Sequence, residues 1–293
     1  MPTALAVEFI ARVADWAQAR RDLRAVLVVG SQVRTDRPAD EWSDIDFALI
    51  TTDPGSYVRD DSWLATFGTV WVSYVEDAGV DIEDAWECRA MYEGALDVDF
   101  GLLRLSIVEA MLSAGIPPRI GETLLRGLQA PVDKDGLVSR LLAACSPPSR
   151  PGLPKESEFL CQVKDSLFRV AQAAKKLRRG ELMMAKVACD GYLKDRLRVM
   201  LGWHARALQG SEADLWHDNR FLEQWADPRA VAAFGGIYAR YDREDIARAL
   251  LATLDLYRWL AQETACKLGY TYPAESDAQI AIWTRDCLAA LGS

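Results

Sequence analysis

At 293 residues and 50% hydrophobic, the chain is long enough to bury sizeable cores and is most naturally divided into two domains. No run approaches the roughly 18 uninterrupted apolar residues of a membrane helix, and the N-terminal segment lacks a basic region followed by an apolar stretch, so cytoplasmic residence is the expectation. The formal net charge of −9 argues against general binding to DNA or RNA, whose affinity comes mostly from Lys and Arg neutralising phosphates, and suits a small cationic substrate.

In chain order, residues 4–20 place apolar side chains at helical spacing, and 24–29 form a β-branched run that stops at Gly30. A polar, Pro-containing loop over 35–41 follows, and 43–50 alternates and then runs apolar as a second strand. Residues 70–75, 88–92 and 96–103 read as further strands, with a short helix near 62–67. The first half is therefore α/β or α+β with a mixed sheet, over residues 1–145. The Pro-rich stretch Ser146-Pro147-Pro148-Ser149-Arg150-Pro151-Gly152-Leu153-Pro154 cannot propagate a helix or a sheet interior, which makes 146–156 a linker. Beyond it, residues 157–179, 181–208, 228–240 and 243–268 carry apolar positions at a 3.6-residue period, so 157–293 reads as an all-α helical bundle domain.

The residue types narrow the chemistry. Six cysteines, Cys88, Cys145, Cys161, Cys189, Cys266 and Cys287, show no CxxC or Cys/His ligand spacing and read as reduced thiols. The two histidines, His204 and His217, have no triad spacing and read as structural. Carboxylates remain. On a strand, residues two apart share a face, so Asp44 and Asp46 would project together while Ile45 and Phe47 turn away. Two neighbouring carboxylates repel, and a divalent cation removes that cost; Mg²⁺ typically takes one or two carboxylates together with substrate phosphates. Upstream, a strand ends on Gly30-Ser31, where the missing Cβ lets a phosphate approach the backbone and the hydroxyl can donate to it; Arg34 could add a charged fork. Downstream, Asp97 and Asp99 lie on one face of another strand, and one of them would complete a three-carboxylate site if that strand lay beside the first pair.

This order, Gly-Ser-x-x-Arg, then Asp-x-Asp on the next strand, then a third strand Asp, resembles the DNA-polymerase-β-like nucleotidyltransferase superfamily. The phrase Asp40-Glu41-Trp42-Ser43-Asp44-Ile45-Asp46, with Trp63-Leu64, Phe67-Gly68, Arg178-Arg179-Gly180-Glu181-Leu182 and Met200-Leu201-Gly202-Trp203, is similar to the aminoglycoside 6-adenylyltransferase (streptomycin adenylyltransferase) family over nearly the whole chain. The resemblance implies an enzyme with a nucleotidyltransferase domain followed by a helical domain. It implies AMP transfer from ATP, with Mg²⁺, to a hydroxyl of an aminoglycoside, streptomycin first. By motif, Gly30 and Ser31 would hold the nucleotide phosphates, Asp44 and Asp46 would ligate Mg²⁺, and Asp99, in apolar-Asp-apolar context, matches the third carboxylate better than Asp97. Gln32 stands where family members often carry Arg, and Arg34 is the substitute cation.

Other readings stand beside these. Lys176, in a basic run, reaches the ATP phosphates or only decorates a helix face; Glu181 is a second, weaker base candidate after Asp99, or a first-turn acid. Lys186 and Asp190, four apart, suit a helix-surface ion pair, and Trp203, Trp216, Trp225 and Trp259 suit core positions. The acidic run Glu76, Asp77, Asp81, Glu83, Asp84, Glu87 reads as a solvated loop. Two rival functions are kept: the same transfer to another small molecule or a protein acceptor, and a non-catalytic nucleotide-binding or toxin–antitoxin-like module. The expected partners are an aminoglycoside and ATP, without nucleic acid or membrane, in a monomer or homodimer.

Overall fold

A computed structural model describes residues 3–34, 36–77, 85–146, 152–210, 215 and 220–290. Trp216, His217, Asp81, Glu83, Asp84 and linker residues 147–151 lie outside the described residues. The chain divides into two compact units, Met1–Ser149 and Arg150–Ser293.

In the first unit, α1 (Ala4–Gln18) starts where the Thr3 hydroxyl accepts from the Ala6 N–H at 3.2 Å, satisfying one of the orphan donors of a helix start. Strand β1 (Leu23–Val29) runs into a tight 3₁₀ turn at Gly30–Gln32, and β2 (Ile45–Thr51), β3 (Val70–Asp77), β4 (Ala85–Tyr92) and β5 (Leu96–Arg104) follow. Helices α3 (Leu105–Ala114), α4 (Pro118–Arg126) and α5 (Leu137–Ala144) surround an edge strand β6 (Gln129–Asp133), and the short α2 (Pro54–Arg59) precedes a 3₁₀ helix at Ser62–Phe67. The six strands form one mixed sheet in the order β3-β4-β5-β2-β1-β6, in which the β2–β5 pair is parallel and the other pairs are antiparallel.

Both faces of the sheet centre are covered, which is why β1 is apolar nearly throughout. Val26, Val28, Ile45, Phe47, Leu49, Val98, Phe100 and Leu102 pack with Phe9 and Val13 of α1 and with Trp63 and Phe67. Ala25, Leu27, Val29, Ala48, Ile50 and Leu103 turn the other way, toward Val108, Leu124, Leu137 and Leu141 of α3–α5. Phe47 and Phe100 are cross-strand partners with rings stacked at 5.2 Å. Such pairs fix register, and a slip of one residue would send the neighbouring Asp46 and Asp99 into the apolar layer.

The second unit is helical among its described residues. Its helices are α6 (Glu156–Arg178), α7 (Leu182–Val187), α8 (Leu193–Gln209), α9 (Leu222–Trp225), α10 (Pro228–Ile237), α11 (Arg243–Leu268) and α12 (Ala274–Ala289). Phe159, Leu167, Leu177, Leu197, Met200, Leu250, Leu254 and Leu260 fill its core. The single helix expected over 181–208 is two helices separated by a π turn at Ala188–Tyr192. There the buried Lys194 ammonium donates to the Cys189 carbonyl at 2.8 Å and to Thr253 Oγ1 at 2.9 Å. Asp190 pairs with Lys186 and accepts from the Ala239 N–H at 3.1 Å, so this pair is tied into the bundle rather than lying freely on a helix surface. His204 is buried with Nε2 2.8 Å from Glu263, Trp225 is buried, and Trp203 and Trp259 pack against the core. All six cysteines are free thiols. No helix among the described residues is long and apolar enough to cross a membrane.

Candidate active site

The first unit gathers its chemistry-bearing residues where β1 ends and β2 and β5 begin. Asp46 and Asp99 are register partners across the parallel β2–β5 pair; alternating with Ile45, Phe47, Val98 and Phe100 of the apolar layer, they project together from the opposite face. Asp44 lies one residue before β2, not on it. Its position comes from a side chain instead of the ladder: Gln32 Nε2 donates to the Asp44 carbonyl at 2.8 Å.

The Gly-Ser turn fits against the first strand carboxylate. Gly30 has φ +71°, and a Cβ there would sit 2.0 Å from Asp46 Oδ2. Glycine is required twice over, once for the left-handed backbone and once for the space that the carboxylate fills. Beside it the Ser31 Oγ and Gln32 Oε1 are buried without a protein partner, and the Ser31 carbonyl accepts from the Ala39 N–H at 2.9 Å, closing the loop onto the turn. An unpaired buried hydroxyl costs free energy unless something else meets it, and a phosphate oxygen is a suitable acceptor.

Asp99 is a strongly perturbed carboxylate. It is 8% exposed; its Oδ2 accepts from Arg89 Nη1 at 2.7 Å, while Oδ1 is buried and unpartnered. Burial drives its pKa up to about 7; Arg89 opposes the rise, and Glu87, Asp97 and Asp44 add to it. A carboxyl whose folded pKa lies above its unfolded value near 4 favours the folded state in its protonated form, and that contribution is lost as pH rises toward 7. Asp99→Asn should therefore raise the unfolding free energy of the ligand-free protein at pH 8 by on the order of 2–4 kcal/mol and change it little at pH 4. Denaturant melts at the two pH values measure this, and equal effects at both would refute it.

The donor set suits a hard divalent cation: carboxylate oxygens, one of them buried and without a partner. Among the described residues no three His, Cys, Asp or Glu side chains converge closely enough to hold an ion by themselves. The three-carboxylate cluster of Asp44, Asp46 and Asp99 expected from the sequence is therefore not preassembled among the described residues; Mg²⁺ typically takes one or two carboxylates and completes its shell with phosphates and water.

Of the cations named from the sequence, Arg34 is buried and forked onto Asp36, with Nε–Oδ1 at 2.9 Å and Nη2–Oδ2 at 2.6 Å; the contact lowers the Asp36 pKa to about 2. Arg126 approaches the same carboxylate at 3.6 Å. Lys176 and Glu181 belong to the second unit and pair with each other at 2.6 Å, and Arg179 joins Glu181 at 2.5 Å; the hydrogen bond from Lys176, more than any other contact, holds the Glu181 pKa below its ordinary value. Asp97 shares the face of Asp99 two residues away and is exposed. Arg89 went unnoticed in the sequence. The signal available was alternation: Glu87, Arg89 and Met91 share one face of β4, and Glu87 and Arg89 read as a charged pair.

Gln32 offers a local check. Gln32→Met keeps the size and burial but removes the donor to Asp44. Loss of such an outer partner typically weakens metal binding or activity 10–100-fold, so half-saturation by the divalent cation should rise about tenfold. A metal titration of the variant with ATP held saturating measures it; an unchanged midpoint would mean that Gln32 does not place Asp44.

Residues 5–287 match the family model described as streptomycin adenylyltransferase. An aminoglycoside 6-adenylyltransferase of Campylobacter jejuni is 22% identical over 274 residues, covering 89% of this chain and 88% of the relative. Another, of Staphylococcus aureus, is 20% identical over 270 residues, covering 91% and 93%. A crystal structure of an aminoglycoside 6-adenyltransferase from Bacillus subtilis aligns over 98% of this chain and 99% of that one at 16% identity, with a TM-score of 0.45. The family match runs from α1 through the Gly-Ser turn and the three aspartates into α12, and by that span the chain belongs to the streptomycin adenylyltransferase family.

Proposed function

We propose that this protein transfers AMP from ATP, with Mg²⁺, to a hydroxyl of an aminoglycoside, and that the acceptor is streptomycin, modified at its 6-hydroxyl. The observation that carries the reading is the Gly30 cradle. The turn that would meet the nucleotide phosphates is shaped around the Asp46 carboxylate, with Asp99 its register partner on β5. The family description and the names of the relatives supply the acceptor class.

In this reading the backbone of Gly30-Ser31 and the unpartnered Ser31 hydroxyl receive the triphosphate. Asp46 and Asp99, with Asp44 beside them, are the residues that would hold the divalent cation, which neutralises the phosphates and the leaving pyrophosphate. Asp99 Oδ1, buried without a protein partner, is the first candidate to accept the proton of the acceptor hydroxyl. The acceptor oxygen attacks the α-phosphorus in line. A new O–P bond forms, the α–β bridging P–O bond breaks with its electron pair leaving on pyrophosphate, and the hydroxyl proton passes to the carboxylate. Positioning and electrostatics supply most of the acceleration. Arg34 and Lys176 are the candidate phosphate cations and Glu181 the alternative base; each would first have to leave its partner.

The test is a panel of acceptors incubated with ATP and Mg²⁺, read by mass spectrometry. Streptomycin gaining one AMP is the expected result. Gain on a different acceptor alone would refute the streptomycin assignment and keep the chemistry; no AMP transfer and no pyrophosphate with any of them would refute the chemistry.

A further inference from the structure

Beyond α3–α5 the same sheet face continues from Asp97 and Asp99 of β5 to Glu87 and Arg89 of β4 and Glu76 of β3. Arg89 is the cross-strand partner of Asp99. Its fork is fully engaged: Nε donates to Glu76 Oε1 at 2.7 Å, Nη1 to Asp99 Oδ2 at 2.7 Å, and Nη2 lies 3.2 Å from Glu87 Oε2. Its side chain is 36% exposed, against 11% for that of Asp99, so it reaches from the rim of the sheet to a carboxylate that is almost closed off. The consequence is geometric. A carboxylate turns freely about its last torsion unless one oxygen is held; Arg89 holds Oδ2, and the oxygen left without a partner is Oδ1.

We propose that Arg89 is the positioning residue of the active site: by fixing Asp99 Oδ2 it selects Oδ1 as the oxygen presented to the reaction, while Glu76 and Glu87 hold the guanidinium in place. The inference rests on the adenylyl-transfer reading, in which Asp99 acts at the reacting hydroxyl. The planar fork matters, because the three carboxylates are met by three different nitrogens spread over the guanidinium, whereas a lysine ammonium donates from a single nitrogen.

Arg89→Ala opens a partly exposed, guanidinium-sized space beside three carboxylates. With Asp99 free to turn, kcat should fall about a hundredfold, the usual cost of misplacing a reacting group by about an ångström, while the KM for ATP stays within about twofold. Guanidinium chloride at millimolar concentration should restore kcat by about tenfold in Arg89→Ala and do nothing for the wild type; methylammonium should not substitute. Crystals of Arg89→Ala grown with and without guanidinium give a readout that needs no turnover. Asp99 should lie rotated or in two orientations without the ion and return to one with it. If Arg89→Ala does not fold, Arg89→Lys carries the test, with the same loss of kcat at unchanged ATP KM. Normal kcat, loss without rescue, or an Asp99 carboxylate that stays in place without Arg89 would overturn the proposal. Should the wild type transfer AMP to no aminoglycoside, the function reading falls, and the crystallographic comparison still decides whether Arg89 orients Asp99.

Discussion

Asp46→Asn should lower AMP transfer by at least about a thousandfold while the protein still folds. The amide has the size and shape of the carboxylate, so Phe47 and Phe100 keep their stacking and β2 and β5 their register. What is lost is a negative charge at a place built around it, and the charge stabilisation that a bound cation gives a phosphoryl transition state is worth several kcal/mol; at about 1.4 kcal/mol per decade of rate, roughly 4 kcal/mol is three decades. The unfolding temperature should stay within about 4 °C, the shift expected for roughly 1 kcal/mol in a domain of this size. Initial rates of pyrophosphate release together with a thermal melt measure both. A variant that folds and keeps a tenth or more of the rate would sink the assignment of Asp46.

Gly30→Ala should cost the second largest amount, by a different route. The added Cβ would lie 2.0 Å from Asp46 Oδ2 at a backbone φ of +71°. The backbone term is about 1–2 kcal/mol, the cost of a left-handed conformation for a residue with a Cβ. The steric term falls on the end of a side chain, so the fold can survive it by swinging the carboxylate aside. Stability should therefore drop by only those 1–2 kcal/mol, whereas the rate should drop by about a hundredfold or more because Asp46 no longer stands where the turn presents it. The two substitutions act through one contact, which predicts non-additivity: Gly30→Ala combined with Asp46→Asn should be no slower than Asp46→Asn alone. Rates of the two single variants and the double variant measure this, and full multiplicative loss would mean that Gly30 matters for something other than Asp46.

Much of this architecture can be read from periodicity. The β-branched run ending at Gly30, the alternation through Phe47 and Val98-Asp99-Phe100, and the long 3.6-residue patterns beyond residue 155 correspond to β1, β2, β5 and the helical unit. Residues 105–144 carried no comparable signal. Gly115, Pro117, Pro118, Gly121 and Gly127 cut α3 and α4 into pieces too short to establish a period, and Pro131 disguises β6, which tolerates it as an edge strand. The side-by-side placement of Asp46 and Asp99 depends on β2 pairing with β5 rather than with its own sequence neighbour β3, a long-range choice that local pattern does not encode. Strand reading also put Asp44 on the ladder; it lies just outside because the Gln32 amide, not a neighbouring strand, meets its carbonyl. Arg34 and Lys176 look like available cations in the sequence because Asp36 lies two residues away on loop rather than strand backbone, and Glu181 lies five residues away, past the end of α6.

In the proposed reading the Gly30-Ser31 turn and the aspartates of β2 and β5 form one nucleotide and metal site. The direct measurement is a crystal structure of the protein soaked with Mn²⁺, a non-hydrolysable ATP analogue and streptomycin, with Mn²⁺ located by its anomalous signal. Mn²⁺ should lie on the carboxylates of Asp46 and Asp99, the triphosphate against the Gly30-Ser31 backbone, and a streptomycin hydroxyl facing the α-phosphorus. Nucleotide bound elsewhere in the chain, or Mn²⁺ bound away from both aspartates, would contradict it.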